Sequence, residues 1–174
     1  VLTAMAGFDT VSVSGNIQSA HAVEVKSQRV LNLSGVVTGA ADMRFAARNI
    51  NLSGVLIDGQ VLEAPKAGTL TISGETVDFR SRFNVGGFEK VVIEASGDMR
   101  GGYTAQPLTP ETEEFTPGLT ATGTVLLRAA QIYPTTDGTL SFKSDKSIRI
   151  ERTGQSAAPL SAGGLLSFTA PLIE

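Results

Sequence analysis

Apolar and polar residues alternate in short runs along this chain, and five of those runs end in Ser-Gly. The copies are Val11–Gly15, Leu31–Gly35, Ile50–Gly54, Leu70–Gly74 and Ile93–Gly97. Their glycines stand 20, 19, 20 and 23 residues apart. Four residues before each Gly the column reads Val, Leu, Ile, Leu, Ile, and two before it reads Val, Leu, Leu, Ile, Ala. Alternation of period two places these apolar residues on one face of a strand and the polar residues between them on the other. A glycine just past the strand permits a positive φ, so the chain turns a corner there. Fixed-period repetition of this kind is the signature of stacked repeat folds.

A second pattern, apolar-x-apolar-x4-apolar, runs Val23 to Val30, Met43 to Ile50, Leu70 to Val77, Val125 to Ile132 and Leu166 to Ile173. It predicts a further strand in several units, with Val23-Glu24-Val25 and Met43-Arg44-Phe45 at equivalent places. Units of about 20 residues are too short for a strand–helix–strand crossover but long enough for one coil of two or three short strands. The expected fold is all-β, a right-handed parallel β-helix (β-solenoid) with ~20-residue coils closed by stacking. On this reading Val11, Leu31, Ile50, Leu70 and Ile93 form one internal column. An antiparallel sandwich also alternates, but it favours hairpin dipeptides such as Asn-Gly and strand spacings of roughly 8–12 residues. No long stretch carries a 3.6-residue apolar period, so little helix is expected.

The frame breaks at residues 101–123, which hold Pro107, Pro110, Pro117 and the acidic residues Glu111, Glu113 and Glu114. Proline removes ladder donors, so this stretch reads as an insertion from a single solenoid segment spanning 1–174. The chain opens at Val1 with no basic or apolar leader, which suggests a mature or excised piece of a longer protein. No apolar run approaches the ~18 residues of a spanning helix, so a soluble segment without membrane insertion is expected.

Composition narrows the chemistry. Apolar residues make up 41%, with two Tyr and no Trp, which suits a narrow interior of stacked aliphatics. Cysteine is absent, which removes disulfides and thiolate metal sites. A net charge of −3 with dispersed Lys and Arg argues against nucleic acid as a partner.

The later part of the chain carries more specific phrases. Val125-Leu126-Leu127-Arg128-Ala129-Ala130-Gln131-Ile132-Tyr133-Pro134-Thr135-Thr136 resembles a phrase typical of filamentous haemagglutinin family exoproteins. So do Pro159–Ile173 and the pair Gly87–Ile93 and Ser96–Arg100. The resemblance covers roughly residues 68–174. It implies a very large secreted protein at a Gram-negative cell surface, exported by two-partner secretion through an outer-membrane transporter. Adhesion to host cells, matrix or neighbouring cells, biofilm formation and presentation of a toxic tip are the roles it implies. No catalytic residues, cofactor-binding residues or metal ligands come with these phrases.

A few residues are candidates for other chemistry. His21 is the only histidine, in Gln18-Ser19-Ala20-His21-Ala22 between two predicted strands, where an exposed turn residue is ordinary. Serines 14, 34, 53, 73 and 96 recur too regularly for a nucleophile and read as a hydroxyl ladder at a corner. Gly86-Gly87 and Gly163-Gly164 read as corners without phosphate-loop context. Asp58 and Asp78 each lie four residues past a repeat Gly, so they are expected to stack and either share a cation or be neutralised by Arg80 and Arg82. The acidic loop Glu111, Glu113 and Glu114 is a second candidate for a cation or partner. A structural or adhesive rod segment is the leading reading and not an enzyme. The alternative is a carbohydrate-active parallel β-helix enzyme, a polysaccharide lyase or hydrolase built around Asp78. Coil ends that bury themselves against further coils also imply end-to-end self-association.

Overall fold

The computed structural model describes residues 2–5, 9–54, 61–102, 116–155 and 161–174, with side chains from residue 9 onward. All regular structure among them is β-strand. The first coil is β1 (Leu2–Met5), β2 (Thr10–Ser14) and β3 (Ile17–Ser19), and the second is β4 (Val23–Lys26), β5 (Val30–Ser34) and β6 (Val36–Gly39). The third supplies β7 (Met43–Ala46) and β8 (Asn49–Ser53). The fourth is β9 (Thr69–Gly74), β10 (Thr76–Phe79) and β11 (Arg82–Gly86), the fifth β12 (Lys90–Ala95), β13 (Asp98–Gly101) and β14 (Gly118–Ala121). The sixth is β15 (Thr124–Ala129), β16 (Gln131–Pro134) and β17 (Thr139–Ser144). Three strands follow, β18 (Ser147–Arg152), β19 (Leu165–Thr169) and β20 (Leu172–Ile173).

These strands stack into three parallel sheets, giving a β-solenoid of about six turns. The first sheet runs β1-β4-β7-β9-β12-β15-β18-β20, the second β2-β5-β8-β10-β13-β16, and the third β3-β6-β11-β14-β17-β19. Inward positions carry one continuous core, from Leu31, Leu33 and Phe45 through Ile72, Phe83 and Ile93 to Leu127 and Phe142. Besides aliphatics it takes phenylalanines: Phe79 meets Phe142 edge-on at 5.3 Å between ring centres, and Phe142 stacks on Phe168 at 5.4 Å. At the last strands Leu166 and Ile173 continue the inward columns of Leu140 and Ile148 and are 36% and 48% exposed.

The predicted single internal column divides in two. Val11, Leu31 and Ile50 do stack in the second sheet. The next residue above Ile50 is Val77, while Leu70 lies in the first sheet between Met43 and Val91. Ile93 pairs with Ile72, not with Leu70. The physical reason is uneven coil length. Asn32 lies 20 residues past Ser12 and Asn51 lies 19 past Asn32, but Thr76 is 27 past its partner Asn49. The serine ladder divides likewise: Ser14, Ser34 and Ser53 are in register, whereas Ser73 faces Ala46 and Glu94 in the first sheet.

Residues 61–67 add no strand to the third sheet, where β6 pairs directly with β11. Glu63 lies against Gly86, and its carbonyl accepts from Gly87 N at 2.9 Å and Thr122 Oγ1 at 2.7 Å. β11 is consequently buried on both faces. The insertion expected over 101–123 has strand at both ends, since Gly101 closes β13 and Gly118–Ala121 forms β14. Residues 103–115, with Glu111, Glu113 and Glu114, lie outside the described residues, as does Asp58.

Candidate functional site

The outer face of the second sheet carries the most organised polar chemistry. In-register pairing of strands whose inward residues are apolar forces every second residue outward, one above another. Ser12, Asn32, Asn51, Asp78, Arg100 and Tyr133 therefore form one outward column. Asn32 Nδ2 donates to Ser12 Oγ at 3.0 Å, and Asn51 Nδ2 donates to Asn32 Oδ1 at 2.7 Å. Arg80, two residues past Asp78, donates through Nε and Nη2 to Asn51 Oδ1 at 3.3 and 3.2 Å. A parallel bond joins Thr76 Oγ1 to Asn49 Oδ1 at 2.7 Å.

Asp78 is the hub. Arg100 grips its carboxylate with two bonds, Nε to Oδ1 at 2.7 Å and Nη2 to Oδ2 at 2.8 Å. Arg80 Nη2 stands 3.5 Å from the same carboxylate. The bond to Asp78 raises the Arg100 pKa above its ordinary value, partly offset by burial. Above Arg100, the Tyr133 hydroxyl donates to Asp98 Oδ2 at 2.7 Å. Burial, then the bond to Asp98 and its charge, push the Tyr133 phenol up. A raised folded value means its neutral form is favoured in the fold. That stability is complete below the unfolded phenol value near 10.0 and is lost as pH rises through the folded value. A spectrophotometric titration should therefore show Tyr133 ionising above the ordinary phenol value. Asp98→Asn should reduce that displacement without abolishing it, and Tyr133→Phe should remove the late component.

Gly102 follows Gly101 at the end of β13, and with Asp78, Arg80, Arg100 and Thr135 it lines a shallow notch of about 220 Å³. A second groove of about 380 Å³ lies on the first sheet around Glu24, Asp42, Arg44, Thr69 and Thr71. There Asp42 Oδ1 accepts from Thr69 N at 2.8 Å.

Of the residues singled out by sequence, Asp78 and Arg80 meet as expected. Arg82 does not join them: it opens β11 on the neighbouring sheet and is buried there. His21 is exposed, and its backbone bonds Ser19 Oγ within a tight turn. Among the described residues no group of three His, Cys, Asp or Glu is placed to hold a metal ion. Sequence reasoning set Asp98 aside as out of register, one past its Gly, and missed Arg100 and Tyr133, because the steps of 22 residues from Asp78 to Arg100 and 33 from Arg100 to Tyr133 depart from the 20-residue frame. The available signal was the apolar-x-apolar-x4-apolar pattern, which sets Val77 and Ile132 in one column and so Asp78 and Tyr133 in the next. No protein family, curated protein or solved structure matched the chain in the comparisons made.

Proposed function

We propose that this chain is a structural and adhesive rod segment of a large secreted filament at a Gram-negative cell surface, of the filamentous haemagglutinin type its later phrases resemble. The observation that supports this is the outward column of the second sheet. Its side chains bond coil to coil along the solenoid axis, from Ser12 through Asn32 and Asn51 to Arg80, and then Asp78 to Arg100. Such a ladder stiffens a rod and presents a polar surface for contact with cells or matrix. Export would use an outer-membrane two-partner secretion transporter. The exposed inward residues Leu166 and Ile173 favour stacking against further coils or end-to-end self-association.

The carbohydrate-active enzyme is the second reading, favoured by the notch beside Asp78. A general base must have a free carboxylate oxygen within reach of its proton. Both Asp78 oxygens accept from Arg100, which fits a structural anchor better. The purified segment, assayed on acidic and neutral glycans with and without Ca²⁺, should bind cells or matrix without turnover. Turnover that Asp78→Ala abolishes would overturn the rod reading.

A further inference from the structure

We propose that the notch beside Arg80 and Arg100 binds the carboxylate or sulfate group of an acidic saccharide, so that this stretch of the rod recognises a ligand. The inference deepens the adhesive reading above and rests on it.

The argument starts from the third outward column of the second sheet. Ser14, Ser34 and Ser53 are stacked there, and the residues following Phe79, Gly101 and Pro134 continue it as Arg80, Gly102 and Thr135. Gly102 is the one member without a side chain. A Cβ there would press to 3.0 Å on Phe79 O and 3.4 Å on Arg80 Cα, the backbone beside the notch. The recess is lined by Gly102 together with its column neighbours Arg80 and Thr135. Its 220 Å³ is below the ~300 Å³ at which drug-sized pockets begin, and suits one charged end of a sugar ring.

Arg80 and Arg100, from adjacent coils, both line this recess, and both are already held in place. Arg100 is held by its paired bonds to Asp78, and Arg80 by Asn51 and Asp78. Arg100 also bonds the Tyr133 hydroxyl, whereas the bonds of Arg80 use its Nε and Nη2 and leave its Nη1 for a ligand. Arginine donors held in place before a ligand arrives lose little freedom on binding an oxyanion. Asp78 does not repel the ligand strongly, because Arg100 neutralises it. Arg80 is 60% exposed at its side chain and carries the accessible charge. The whole chain is net −3, so a polyanion gains nothing from bulk attraction and local pairing must supply the binding.

The test is a titration of the folded segment, followed by nuclear magnetic resonance, with oligogalacturonate, a chondroitin sulfate oligosaccharide and neutral dextran oligomers. Arg80→Gln and Gly102→Ala are compared with wild type and with Arg29→Gln, which removes an exposed charge elsewhere. Shifts at the backbone amides of residues 79–81 and 100–102 are expected with at least one acidic probe. Arg80→Gln should weaken binding about tenfold or more, Gly102→Ala should block it, and Arg29→Gln should leave it unchanged. Response to the uronate alone, or to the sulfate alone, identifies which source the notch reads. Equal loss in Arg80→Gln and Arg29→Gln, equal binding of dextran, or no binding at about 10 mM would overturn the proposal. If cells still adhere to Arg80→Gln while no saccharide binds, the notch fails and the adhesive reading stands. If the saccharide binds at the notch but no cell or matrix does, the adhesive reading fails instead.

Discussion

Leu52→Asp should unfold the segment or lower its melting temperature far more than any outward substitution. Leu52 is wholly buried in β8, with Leu33 below it and Phe79 above in register. An aspartate there places a carboxylate between two apolar coils with no cation in reach, at a cost of several kcal/mol. The lost Leu burial adds roughly 2 kcal/mol. Against a typical total of about 5–15 kcal/mol, that is enough to unfold most molecules. Ser53→Ala, one residue on and facing outward, loses one long bond from Ser53 Oγ to Leu33 O at 3.4 Å. That change should cost on the order of 1 kcal/mol or less. Thermal melts of the two variants decide the point, and similar midpoints would contradict the assignment of inner and outer faces.

Gly35→Ala is expected to be nearly as damaging, for a backbone reason. Gly35 has φ +132°, a region L side chains avoid, and its missing Cβ is where the Gly15 carbonyl of the coil below sits. Gly54 stands over the Gly35 carbonyl in the same way. Meanwhile Gly15 N donates to Ser34 O at 2.8 Å and Gly35 N to Ser53 O at 2.9 Å. A methyl group at 35 must push adjacent coils apart and break these bonds, which together should cost several kcal/mol. Gly15→Ala is the matched control. It has φ +95° but open space around the Cβ position, so only strain of about 1–2 kcal/mol is expected. Denaturant melts should rank Gly35→Ala well below Gly15→Ala; the reverse order would show that φ, not the close approach of coils, governs the corner.

The same corner explains why one sequence pattern was faithful and the other misled. Ser-Gly closes β2 and β5, where the second sheet turns into the third, and ends β8 of the second sheet, but Ser73-Gly74 closes β9, where the first sheet turns into the second. Both corners need a small residue beside the neighbouring backbone, so the motif reports a turn without saying which one. Copies 20 residues apart therefore stood on different sheets. The apolar-x-apolar-x4-apolar pattern is more specific, since it spans one corner from two inward positions to the next. In Met43–Ile50, Leu70–Val77 and Val125–Ile132 it links the first sheet to the second in register, whereas in Val23–Val30 only the first two positions hold register and Leu31, not Val30, stacks with Ile50. Only Leu166–Ile173 marks a different corner, from the third sheet to the first.

By itself the sequence determined that the chain is all-β, coiled and parallel, with alternating residues sorted inward and outward. Those features follow from local alternation and from units too short to hold a helix. It also determined the corners, through glycines with little room for a side chain. Tertiary structure decided which coil sits on which. That depends on how many residues each coil sends outside the ladder, and such excursions carry no periodic signal. The run through Glu63 leaves β6 beside β11, and the steps above Asp78 bring in Arg100, Asp98 and Tyr133. Asp78 and Arg80 were legible because they lie two residues apart on one strand. Their partners are Arg100, 22 residues past Asp78, and Asn51, 29 residues before Arg80, which only the stacking of coils could bring together.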